Sequence, residues 1–118
     1  MTRQQSFAKI ENELLPSFRK RINEAESIED IRNTFHATIE TLFSKTMLGV
    51  LGREQIELLP SGEPAFALAE EVRTRAQVAQ VWDASDLSQI IGRFAALASN
   101  HYQHLAKKPM KSEAKIRM

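Results

Sequence analysis

The chain contains no cysteine in its 118 residues. That excludes disulfides, thiolate zinc sites and a thiol nucleophile, so a metal would have to be held by histidine and carboxylate side chains. No apolar run approaches the ~20 residues needed to span a bilayer. The opening stretch MTRQQSFAKIENELL carries charges where a signal peptide needs an apolar core. The expected location is the cytoplasm, with no membrane role. Phosphate-cradling spacings are also missing: LGVLG matches neither GxGxxG nor GxxxxGK. No serine sits in GxSxG, and no Glu-x-x-His pattern of the di-iron kind occurs. The expectation is a protein that is not an enzyme and holds no cofactor.

What is present is ordinary for a globular domain: 42% apolar and 26% charged residues, in a length that suits one core. Charge is unevenly placed. Residues 1–106 hold 11 Lys and Arg against 14 Asp and Glu, whereas 107–118 hold five basic residues and one acid. A mildly acidic body at 1–106 therefore carries a basic, flexible tail at 107–118.

Apolar spacing predicts four helices. Phe7, Ile10, Leu14, Phe18, Ile22 and Ala25 form one stripe, giving a helix over about 5–25. Pro16 lies inside it, at a cost of roughly 3 kcal/mol in a helix interior, so one kinked helix and two separate helices both fit. Ser27, with Asp30 three residues on, opens a second helix over about 28–47, striped by Ile28, Ile31, Phe35, Ile39, Leu42 and Phe43. A third helix is expected over about 67–82 and a fourth over about 86–107, where Pro109 prevents simple continuation.

Between the second and third, Ile56 and Leu58 alternate with polar residues, and the cluster Pro60 to Pro64 reads as a turn before Phe66 and Leu68. A short β-hairpin at about 54–68 fits this pattern, as does a loop leading to a helix that starts at Pro64. The fold class is therefore mainly α: four helices as two antiparallel αα-hairpins packed in a bundle, with a short β-hairpin or loop excursion between helices two and three.

Three constellations are candidate sites. His101 and His104 are three apart on the last helix, and His36 and Glu40 are four apart on the second. If those helices touch, the four side chains would form a His-rich metal site in the core. The bland alternative places the two late histidines at a helix C-terminus, where cations suit the dipole.

The last helix is apolar over a wide face, and Ile90, Phe94 and Leu97, with Ile56 and Phe66 of the hairpin, are the expected anchors of a protein interface. Lys107, Lys108, Lys111, Lys115 and Arg117 of the tail suit an anionic partner. Nucleic acid is not favoured. The AQVAQVWDASDLSQIIGRF rhythm fits helix-turn-helix, but its second helix opens on Asp86 and carries only Arg93 as a base. The sequence reads best as a small protein–protein interaction or regulatory module, with a second copy of itself as an expected partner. A metal binder and a tail-using nucleic-acid accessory are the alternatives.

Overall fold

The chain runs α1 (Ala8–Glu24), α2 (Ile28–Lys45), β1 (Ile56–Leu58), β2 (Phe66–Leu68), α3 (Glu70–Arg73), α4 (Ala76–Trp82) and α5 (Leu87–Ala106), with a 3-10 turn at Arg53–Gln55 before β1. These are the elements of the computed structural model, which describes residues 6–107. No helix among them is long and apolar enough to cross a membrane.

The predicted stripes become the core. Phe18 and Ile22 of α1, Ile31, Phe35, Ile39, Leu42 and Phe43 of α2, and Leu87, Ile90, Ile91, Phe94, Ala95 and Ala98 of α5 are all buried. Phe18 meets Phe94 edge to face, with ring centroids 4.8 Å apart. The helix at the start is continuous through Pro16. Pro16 and Asn12, whose carbonyl the proline cannot bond, are both exposed, so the missing bond falls on the solvent side of the helix.

Ser27 caps α2 as its spacing predicts: its hydroxyl accepts from the Asp30 N–H at 3.0 Å. Asp30 in turn accepts from the Glu26 N–H at 3.3 Å, closing the box one residue earlier than the standard pattern. Because α2 runs back along α1 while contacts climb together along α1 and α5 (Phe7 with Asp86, Glu11 with Arg93, Phe18 with Phe94), α1 and α5 are parallel.

Two expectations need correction. The described residues form five helices rather than four, because the segment expected as one helix over 67–82 is divided. Phe66–Leu68 pairs antiparallel with β1, Ile56 opposite Leu68 and Leu58 opposite Phe66. The hairpin alternative is therefore the one realised. After β2 the chain turns helical at Glu70 and breaks at Thr74, whose hydroxyl bonds back to the Glu70 carbonyl at 2.9 Å. It resumes at Ala76. The break has a packing reason: Val72 and Val78 are both fully buried. On one unbroken helix, residues six apart would point about 120° away from each other.

The second correction follows from the first. The core is three long helices that pack mutually, with α4 lying more lightly on α5, in place of two matched helical hairpins. The small sheet closes one side, β1 against α2 and α5 and β2 against α5.

Candidate functional site

The structure brings His101 and His104 together, with ring centroids 5.8 Å apart, as their spacing on α5 requires. They border a groove between α1 and α5 that also exposes Arg19. His36 lies elsewhere, in the groove beside β1 with Arg32 and Arg53, and Glu40 borders a third groove at the end of α2. The His36 Nε2 is buried without a hydrogen-bond partner. Among the described residues no three His, Cys, Asp or Glu side chains gather where they could share a metal ion, so the set His101, His104, His36 and Glu40 is not assembled.

The expected interface anchors are interior. Ile56, Phe66, Ile90 and Phe94 are buried in the core, and Leu97 is half-buried against it. The wide apolar face of α5 is covered by the protein's own α1, α2 and sheet, so Ile90 and Phe94 belong to the core. Of the tail, Lys107 is exposed just past α5, and Lys108, Lys111, Lys115 and Arg117 lie outside the described residues.

Two features remain at the surface. The first is the loop after α2. The Met47 N–H bonds to the Ser44 carbonyl at 3.3 Å and the Leu48 N–H to the Phe43 carbonyl at 2.9 Å. That pair of bonds is a Schellman ending, whose pivot residue sits in the left-handed region and is usually glycine. Here the pivot is Met47, at φ 60°. Leu48 and Leu51 turn inward and are buried, while Met47 and Val50 are 85% and 79% exposed. Arg75 pins the loop by donating to the Leu48 carbonyl at 3.2 Å.

The second is the far edge of β2. The Leu59 N–H donates to the Ala65 carbonyl and the Ala69 N–H to the Gln55 carbonyl, so the hydrogen-bonded pairs are 55 with 69, 57 with 67 and 59 with 65. Strand geometry then turns the backbone groups of Phe66 and Leu68 away from β1. Beside that edge lies an open groove of about 650 Å³ between β2, Trp82 and the first turns of α5. The Arg73 guanidinium sits 5.8 Å from the Trp82 ring centre, and Phe66 meets the same indole at 6.5 Å.

No protein-family model, curated protein or solved structure matches this chain.

Its own geometry also holds a polar latch that spacing does not reveal. The buried Glu11 carboxylate accepts from Arg93 Nε at 2.7 Å and Nη2 at 2.9 Å. That hydrogen bond holds the Arg93 guanidinium above its ordinary pKa, against an opposing effect of burial, with the charges of Glu11 and Asp86 adding in the same direction. Asp86, just ahead of α5, accepts from the Phe7 N–H and the Ser6 hydroxyl, each at 2.9 Å, and so caps α1 from another element. For Met47 and Val50 the sequence held no signal, since the exposed pair and the buried Leu48 and Leu51 are all apolar. For Arg73 and Trp82 no signal existed, because the helix expected to carry both is broken between them.

Proposed function

We propose that this chain is a small cytoplasmic protein–protein interaction module, with a second copy as its first partner and the loop from Met47 to Val50 as its contact. The observation that carries this reading is the coincidence of strain and exposure at Met47. A side chain other than glycine in the left-handed region costs roughly 1–2 kcal/mol, and single exposed apolar residues are otherwise unremarkable. At this loop the fold accepts the strained backbone and two large exposed apolar side chains three residues apart. The left-handed turn ends α2, a task glycine performs without the strain, and the large side chains at 47 and 50 add an apolar knob held outward. Rigid presentation lowers the entropy lost on association.

Sedimentation velocity of the full chain across a wide concentration range tests this. The native chain is expected to associate reversibly. The double variant Met47→Gly with Val50→Ser is expected to remain monomeric while unfolding no earlier on heating. Equal association of the two proteins would remove the loop as the contact.

A further inference from the structure

We propose a second docking site at different residues: the open edge of β2 takes a single extended peptide segment, and Arg73 reads a carboxylate on it. The backbone N–H and C=O groups of Phe66 and Leu68 face away from β1 and hydrogen-bond to no other described segment. An unpaired edge of this kind is a template for strand addition, in which backbone bonds give affinity and flanking pockets give selectivity.

The flanking groove is narrow in its demands. Phe66, Leu68 and Trp82 supply apolar lining, Ser88 and Gln89 neutral polar lining, and Arg73 is the one charged side chain on it. Among the described residues Arg73 makes no ion pair and no side-chain hydrogen bond, being held only over the indole. Glu71 is engaged elsewhere, accepting from Gln55 at 2.9 Å, and Glu70, one helical turn before Arg73, makes no ion pair with it. A lone, positioned guanidinium beside an apolar trough complements a carboxylate on an otherwise apolar strand.

The far edge of β1 is a poorer template. Its groove mixes Arg32 and Arg53 with Glu54 and Glu57, and Arg53 is already bonded to Asn33.

Gly92 of α5 also lines the trough. A methyl group added there would meet only Phe66 Cε1, at 4.0 Å, so packing does not require glycine. A longer side chain at that position would project into the space a bound segment needs.

The test is an amide NMR titration of the full chain with three peptides: acetyl-Thr-Val-Leu-Val-Gln-amide, the same peptide with a free C-terminal carboxylate, and the amide with Glu in place of Gln. The carboxylate peptides are expected to shift the Trp82 indole N–H and the Phe66 and Leu68 amides, binding roughly fivefold more tightly than the neutral one. The two acidic arms separate a terminal from a side-chain carboxylate. Arg73→Gln is expected to level all three affinities, and Gly92→Leu, with circular dichroism unchanged, to abolish the shifts.

Equal affinities in the native chain would overturn the carboxylate assignment. Absence of shifts at Phe66, Leu68 and Trp82 with every peptide would overturn the site. Shifts there with protein concentration alone would make the occupant a second copy and overturn the peptide.

Discussion

Removing one partner of the Glu11–Arg93 pair is expected to cost very different amounts depending on which partner goes. The Glu11 side chain is only 11% exposed, whereas that of Arg93 is 55% exposed. Arg93→Met strands a carboxylate in a site almost closed to water. An unpaired charge at full burial costs about 3–5 kcal/mol, so about 2–3 kcal/mol is expected here. Glu11→Met strands a guanidinium that is already half in water and keeps the favourable charge of Asp86 nearby. That loss resembles an exposed pair, about 1 kcal/mol or less. The double variant, with neither charge left, is expected close to the native chain, so the coupling is the sum of the two single losses, about 2–4 kcal/mol.

The assay is urea unfolding followed by circular dichroism at neutral pH. An m-value of about 1–3 kcal/mol/M turns the larger loss into a midpoint shift near 1 M. Because the folded-state pKa of Arg93 is raised, its contribution is fully present below the unfolded value and fades only as pH rises through the folded one. From Arg93 itself, stability is therefore flat through the neutral range. A Glu11→Met cost equal to or above that of Arg93→Met would refute the reasoning, since burial would then not govern the penalty.

Met47→Gly relieves the left-handed strain at φ 60° and is expected to raise stability by about 0.5–1 kcal/mol, read as a higher urea midpoint. Gly92→Ala, in the middle of α5 with its nearest obstacle at 4.0 Å, is expected to stabilise by up to about 1 kcal/mol and to raise the melting temperature by a few degrees. Proline scanning of β2 separates its two edges. Ala67→Pro deletes an N–H that bonds to β1 and is expected to cost about 2–3 kcal/mol. Leu68→Pro deletes an outward N–H and is expected to cost markedly less, although it gives up some burial. The same loss for both would mean that the register of the hairpin differs from 57 opposite 67.

The three long helices and the hairpin were legible because each carries its own local pattern: a stripe at helical spacing, or Ile56 and Leu58 alternating before a Pro- and Gly-containing turn. The break at Thr74 was hidden. Val72, Ala76 and Ala79 keep helical phase on paper, and only the pairing of Phe66–Leu68 with β1 forces the chain to re-aim before Val78. Ile90 and Phe94 showed the opposite failure. Periodicity identifies an apolar face but not what covers it, and α1 and α2 cover this one. The proximity of His101 to His104 was readable as local helix geometry. The separation of His36 from them was not, since it depends on how α2 is rotated against α5. Glu11 and Arg93 stand 82 residues apart, and no local rule pairs residues over that distance.

The parallel course of α1 and α5 has a consequence for the order in which the molecule acquires its shape. On emerging from the ribosome, α1 and α2 can fold back on each other early, but the aromatic partner of Phe18, the counter-ion of Glu11 and the acceptor for the Phe7 N–H all belong to residues 86–94. The first helix therefore waits for the last. A chain stopped before residue 86 would leave Phe18 and the Glu11 carboxylate facing water along one side of a helical pair. Exposed apolar surface of that kind is prone to aggregate, so completion of α5 is the step that covers it.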